Sequence, residues 1–406
     1  MPTTSPRDPA TGSAGRRRPV VVLLCDSLPP YRVRVHRRLT RELPGVAFVT
    51  ACTHDPQDGR WPAVSQADVP HVVFGPGERS GERLGNRRFF AAEFRKGGRI
   101  VRWLRRARPA AVVINGYNDP GRLRVLAWCK ANGVPALLQG DSNVRGDRAA
   151  GVRRVVKRAV VGTFARAFDA FLPFGSLGRA YFRRYGAADS RIFEAPLEPD
   201  YDLIAAVGPG AAAVAAARFS LPAGRRRLLY SGRLAPEKRV DLAIKAFAAI
   251  ADRRPAWDLV VMGDGPLRDE LRAQVPPALA RRVAWTGGLT EPGAIFGLFA
   301  ACDAFVLPSD AEPWALVINE AAASGLAIVC SDAVGAAPEL VRDGVNGRVF
   351  PRGDAAALAA ALLDVTDEAR LPQMRAASGR VLADWRRHGD PVDGFRRALR
   401  RVGVPI

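Results

Sequence analysis

A repeating order constrains this chain more than any other feature: a short apolar run, a polar or glycine-bearing loop, then a stretch of helical period. PVVVLL at 19–24, AAVVI at 110–114, PALL at 135–138, RLLYS at 227–231, WDLVVM at 257–262, DAFVL at 303–307 and AIVC at 327–330 are such runs. Each is too short for an amphipathic helix and apolar enough to be covered on both faces, as strands of a parallel sheet are. Strand alternating with helix builds a parallel α/β sheet, whose ligands gather beyond the strands' carboxyl ends. The loops after these runs are therefore where function is to be sought.

Segments 45–51, 71–74, 170–173, 283–286 and 347–350 read as further strands, and 191–196 as a last short strand before the turn Glu198-Pro199-Asp200. A chain of 406 residues exceeds one ordinary core, so two domains are expected. Residues 1–17 read as a disordered tail, 18–205 as the first domain, 206–380 as the second, and 381–406 as a basic C-terminal helix returning to the first. Gly208-Pro209-Gly210 with its alanine run reads as the interdomain connection.

Charge is distributed unevenly. Residues 1–200 hold 35 basic and 17 acidic side chains, and 201–406 hold 26 and 23, so the first half carries +18 of the net +21. Part of this is coding bias, since 56 of the 61 basic residues are arginine and alanine is abundant. The remainder means that the first half faces something negative: membrane phospholipid, an anionic acceptor or nucleic acid. In 89–108, Arg95, Arg99, Arg102 and Arg106 share one helical face and Phe90, Phe94, Val101 and Leu104 another, with Gly97-Gly98 weakening the helix. Segment 152–166 repeats the theme with Arg154, Lys157 and Arg158. Such helices suit an anionic membrane surface or simply pack on a sheet.

No uncharged apolar run approaches the length of a membrane span, and the N-terminal segment resembles neither signal peptide nor anchor, so a cytoplasmic protein is expected. Five scattered cysteines and four histidines show no disulfide framework or metal spacing.

The strand-end loops supply the chemistry. Residues 227–231 run into Gly232-Arg233 and on to Lys238, then a helix from Val240; an arginine and a lysine five apart in a glycine turn suit a diphosphate clamp, or else form a solvated turn. Gly263-Asp264-Gly265-Pro266 and Trp285-Thr286-Gly287 are tight loops that let backbone approach a ligand. After 303–307, Glu312 and Glu320 straddle the start of a helix expected over 314–323, about two turns apart and so on one side. The helix start offers N–H groups to an anion, and the carboxylates suit hydroxyls. A nucleotide sugar has both features. In the first half, the loops Asn115-Gly116-Tyr117-Asn118-Asp119 and Gln139-Gly140-Asp141-Ser142-Asn143 are acceptor or sugar candidates.

SGRLAPEKRVDLAIKAF, VVMGDGPLRDEL, TGGLT and LPSDAEPWALVINEAAASGLAIVCSDAVGAAPELVRDGVNGRVF resemble, in order and spacing, the nucleotide-sugar domain of family 4 retaining glycosyltransferases. PPYRVRVHRRL and the stretch from Phe171 to Asp202 match the family more weakly. The resemblance implies GT-B architecture, two facing Rossmann-like domains with parallel sheets and a cleft between them, with retention of anomeric configuration and no metal. It implies that Arg233 and Lys238 hold the donor diphosphate, Glu320 the ribose and Glu312 the donor sugar. Amides of Trp314, Ala315 and Leu316 would complete phosphate binding, Gly232 would belong to the donor-binding turn of Arg233 and Lys238, and Gly263, Gly265, Pro266, Trp285, Thr286 and Gly287 would flank base and ribose. Trp314-Ala315 departs from the family's usual Phe-Gly, and no histidine stands at either acceptor loop, where Asp141 or Asn115 would substitute.

The expectation is a metal-independent transferase using a UDP- or GDP-type sugar and a cell-envelope, polysaccharide or lipid-linked acceptor, either free in the cytoplasm or peripheral on the inner membrane face. A GT-B epimerase or phosphorylase, a basic nucleic-acid-binding protein and a catalytically degenerate relative are the alternatives.

Overall fold

The computed structural model describes residues 18–57, 65–79, 87–117, 119–147 and 151–406. The expected tail 1–17 and Asn118 of the first acceptor loop lie outside these. The chain divides into two compact units, 1–198 with 389–406, and 199–388.

The N-terminal unit holds β1 (Val20–Cys25), β2 (Ala47–Cys52), β3 (His71–Val73), β4 (Ala111–Asn115), β5 (Ala136–Gly140) and β6 (Ala170–Pro173). They form one sheet in the order β3-β2-β1-β4-β5-β6, parallel at every pairing. Successive side chains of a strand point to opposite faces, so each apolar run feeds two cores. Val22, Leu24, Val112 and Ile114 meet Ile100, Leu104, Val125 and Val161 of the helices Arg87–Ala107, Pro120–Ala131 and Gly151–Ala167. Val21, Val113 and Leu137 meet Val35 and Leu39 of Pro30–Glu42 and Phe395 and Leu399 of Pro391–Arg401 on the other face. The segment 191–196, read as a strand, makes only a single bridge from Ile192 to Phe171 after a 3-10 turn.

Gly97-Gly98 does not break its helix. A Cβ at Gly97 would lie 2.7 Å from the backbone of Gly121, so the glycine is what lets Arg87–Ala107 and Pro120–Ala131 pack closely. The expected apolar face needs correction at its start: Phe90 is 58% and Phe94 51% exposed, whereas Glu93 and Lys96 are buried.

The C-terminal unit holds β7 (Arg226–Ser231), β8 (Trp257–Met262), β9 (Val283–Gly287), β10 (Ala304–Leu307), β11 (Ala327–Ser331) and β12 (Gly347–Phe350), in the order β12-β11-β10-β7-β8-β9. It repeats the topology of the first sheet. The alanine run expected as a linker is a helix of this unit, Ala211–Arg218. The chain crosses between units at 198/199 and 388/389, not at 205/206 and 380/381. Tyr201 and Trp385 explain the difference, since both bond or stack onto the side chains of Asn319 and Trp314 inside the C-terminal unit.

Candidate functional site

In a doubly wound sheet the strand order reverses at one point, leaving a crevice at the carboxyl ends of the two strands there. In the C-terminal unit those strands are β7 and β10. The loop after β7 brings Gly232, Arg233 and Lys238, and the loop after β10 brings Asp310 and Glu312. Backbone bonds lock the neighbouring loops together: Gly232 N–H donates to Met262 O at 3.0 Å, Leu234 to Asp264 at 2.9 Å, Gly263 to Gly287 at 2.9 Å and Asp310 to Glu237 at 2.9 Å. A Cβ on Gly263, whose φ is 151°, would stand 1.8 Å from Gly232 O, so the approach of the β7 and β8 loops requires glycine there. The Tyr230 hydroxyl, buried, donates to Arg233 O at 2.9 Å and fixes the turn from below. The expected glycine loops are thus one connected platform.

Lys238 Nζ lies 2.7 and 2.6 Å from the two carboxylate oxygens of Glu312, and both side chains are largely buried. Arg233 is mostly exposed and loosely paired with Glu237 at 3.3 Å. Arg239, which sequence reasoning passed over, reaches Asp310 at 2.9 Å and ties the two loops across the crevice. Its signal was weak: one more arginine in an arginine-rich chain.

The helix over this crevice runs Leu316–Ala323, two residues later than expected, because Ala315 adopts a left-handed conformation at φ 76°. Glu312 therefore precedes the helix, bridged to Val334, and does not share a helical face with Glu320. Glu320 is on the helix, half-buried, and its carboxylate has no hydrogen-bond or ion-pair partner among the described residues. Burial alone pushes its carboxyl up to about 7. A carboxylate held in this way gains most from a ligand that donates hydroxyl hydrogens. Trp285 lies beneath the Arg272 guanidinium, 5.5 Å from the ring centre, and Thr286 Oγ1 donates to Gly287 O at 3.2 Å. Pro266 completes the β8 loop.

The corresponding point of the N-terminal sheet lies between β1 and β4. There Arg122 pairs with both Asp26 and Asp119, and Arg32 Nη2 donates to Asn115 Oδ1 at 2.9 Å. Desolvation raises the Asp26 carboxyl, but the Arg122 guanidinium, with Arg32 and His54, outweighs it and holds the group below its usual range. Asp141 follows β5 as an exposed residue, in surroundings crowded enough for desolvation to raise its carboxyl. It belongs to the N-terminal unit, whereas Arg233, Lys238, Glu312 and Glu320 belong to the other.

Among the described residues, His54, Glu78 and Glu93 form the one group with metal-ligand chemistry. Lys96 Nζ already sits 2.6 Å from Glu78 and 2.7 Å from Glu93, an internal cation where a metal would stand. A cavity of about 480 Å³ opens at the opposite, amino edge of the C-terminal sheet. Its arginines are spent on protein: Arg226 and Arg375 on Asp303 at 2.8 and 2.9 Å, Arg227 on Ala301 O at 2.9 Å.

Two units of this topology define the GT-B class of α/β fold, and solved structures bear that out. The Anabaena Alr3699/HepE protein in complex with UDP aligns with a TM-score of 0.71 at 18% identity, over 95% of this chain and 100% of that one. Sucrose-phosphate synthase from Thermosynechococcus elongatus aligns at 0.70 and 18%, over 94% and 97%. Residues 225–368 match the family described as glycosyl transferases group 1. Glycogen synthase of Mycobacterium tuberculosis is 36% identical over 185 residues, 43% of this chain and 44% of its own length. D-inositol 3-phosphate glycosyltransferase of Nocardia farcinica is 30% identical over 263 residues, 62% and 55%. The chain spans about half the length of these relatives.

Proposed function

We propose that the chain is a glycosyltransferase that moves a sugar from a nucleotide-sugar donor to a cell-envelope, polysaccharide or lipid-linked acceptor, with retention of configuration and no metal. The observation that carries the reading is the β7/β10 crevice: two cations, a helix start and an unpartnered carboxylate on one locked platform. In this reading Arg233 and Lys238 balance the charge that grows on the departing diphosphate, as metal ions do elsewhere. Amides of the first helical turn at Leu316 take a phosphate oxygen. Glu320 accepts from the ribose, and Glu312, released from Lys238 as that lysine turns to phosphate, faces the donor sugar. Backbone of the Gly263 to Pro266 and Trp285 to Gly287 loops flanks base and ribose. A UDP- or GDP-type donor is proposed, and the Anabaena neighbour, solved in complex with UDP, supports the first.

Asp141 is proposed to take the acceptor-side polar role in the N-terminal unit. The +18 charge of residues 1–200 supports an anionic acceptor or the cytoplasmic face of a membrane as what that unit meets. No helix among the described residues is long and apolar enough to cross a membrane, so any attachment proposed is peripheral.

The test is thermal shift of the purified chain against UDP, GDP, ADP and dTDP and their sugar conjugates in chelator. A ligand that binds the native state raises its stability, and slow hydrolysis of the stabilising nucleotide sugar identifies the donor. Absence of any shift in a folded protein defeats the proposal.

A further inference from the structure

Ala315 is the point of tension in the donor loop. It is buried, and its φ of 76° and ψ of 76° lie where an L residue pays a steric cost that glycine does not. A single strained residue persists only where its surroundings over-determine it, and here they can be named. On one side, Trp314 O accepts from Ala336 N at 2.8 Å and Glu312 O from Gly335 N at 2.9 Å. On the other, the Trp314 indole Nε1 donates to Asn319 Oδ1 at 3.1 Å, and Asn319 Nδ2 donates to the Tyr201 hydroxyl at 3.0 Å. Asn319 is wholly buried and Trp314 is 4% exposed. The indole also packs on Trp385, ring centres 5.6 Å apart, while the Arg386 guanidinium lies 4.2 Å over the Tyr201 ring.

We infer that Trp314 is a positioning residue: its indole N–H, held by Asn319, pins Ala315 in the left-handed conformation and so aims the first amides of Leu316–Ala323 at the donor's diphosphate. The two side chains form a matched pair. Phenylalanine at 314 would pack but could not donate, and glycine at 315 would need no pin. Alanine gives a narrower loop ensemble than glycine, provided that the indole bond holds it in place. The inference rests on the donor reading above for its ligand, but not for its geometry.

The variants Trp314→Phe, Ala315→Gly and the two combined test it by two measurements: UDP and GDP affinity by calorimetry, and amide hydrogen exchange of residues 315–318 without ligand. Trp314→Phe is expected to weaken the nucleotide that binds about tenfold, the equivalent of roughly 1.4 kcal/mol of released strain, and to speed exchange at 315–318. Ala315→Gly in that background is expected to restore affinity to within about twofold of the parent. A loss that glycine does not repair, or no loss, overturns the inference, because a general packing defect is not repaired by removing a methyl group. If neither nucleotide binds the parent chain, the donor reading fails, and exchange alone decides: unchanged protection at 315–318 in Trp314→Phe then overturns the pin. Should Trp314→Phe fold poorly, Asn319→Leu removes the same bond and is read identically.

Discussion

The two units carry the same sheet, strand for strand, yet only one has a reactive-looking crevice. At the β1/β4 point the charges close on each other: Arg122 binds Asp26 and Asp119, and Arg32 binds Asn115. At the β7/β10 point Arg233 stays mostly exposed, the Glu320 carboxylate has no partner among the described residues, and the Lys238–Glu312 pair sits where an incoming anion competes for the lysine. Topology supplies a crevice in both places, but an anion site needs cations that the protein has left available and glycines that let the loops meet.

The largest test of that contrast removes one cation from each point. Lys238→Ala is expected to lower turnover about 100- to 1000-fold, the loss typical when one group that stabilises transition-state charge is deleted. Arg122→Ala is expected to leave turnover per folded molecule close to that of the parent while costing about 1–3 kcal/mol of stability, since buried Asp119 loses its ion-pair partner and half-exposed Asp26 falls back on water and Thr53. Equal effects on both properties from both variants would erase the distinction drawn between a site and a structural clasp.

The pH response separates the units next. His36, buried in the N-terminal unit with Nδ1 2.8 Å from Thr50 Oγ1, has its pKa lowered to about 4 by desolvation. The unfolded chain then binds the extra proton, so stability from this group is full above about 6.5 and lost as pH falls toward 4. Glu320 works the other way. Its folded carboxyl titrates near 7, so the folded state binds the extra proton, and stability falls as pH rises from the ordinary glutamate range through 7. Each effect is of order 3 kcal/mol. Denaturant titrations from pH 4 to 8 should lose the acid-side decline in His36→Phe and the neutral-side decline in Glu320→Gln. The same glutamate predicts that nucleotide affinity rises with pH through 7, because hydroxyl donors favour the ionised form. A flat affinity profile in the parent chain would detach Glu320 from the ligand.

How much of this could be read beforehand follows from where each signal resides. Strands such as 257–262 and 327–330 were legible because burial on both faces makes a run uniformly apolar, a local property. The platform was legible through glycines like Gly263, whose need for a bare Cα reflects one close neighbour. The start of the helix at Leu316 was not, since it depends on a left-handed alanine that no propensity favours. The burial of Lys96 with Glu93 comes from tertiary packing and leaves no local signal in the sequence. The crossings at 198/199 and 388/389 were misplaced because Tyr201 and Trp385 take their partners from residues far along the chain.

The smallest expected effect concerns surface rather than site, and it sharpens the comparison in a different direction. Residues 1–200 carry +18 and residues 201–406 carry +3. On the helix Arg87–Ala107, Phe90 and Phe94 project with exposed Arg95, Arg99 and Arg102 on the same element. An anionic bilayer attracts about 1 kcal/mol per basic residue at its surface, and inserted aromatic side chains add to that. Cosedimentation with vesicles of phosphatidylglycerol and phosphatidylcholine should therefore retain the parent chain at low salt and release it at high salt. Phe90→Ser with Phe94→Ser should reduce retention about tenfold, the equivalent of roughly 1.4 kcal/mol, without changing nucleotide-induced thermal shift. Retention that ignores both salt and the two phenylalanines would leave the basic excess of the N-terminal unit to the acceptor alone.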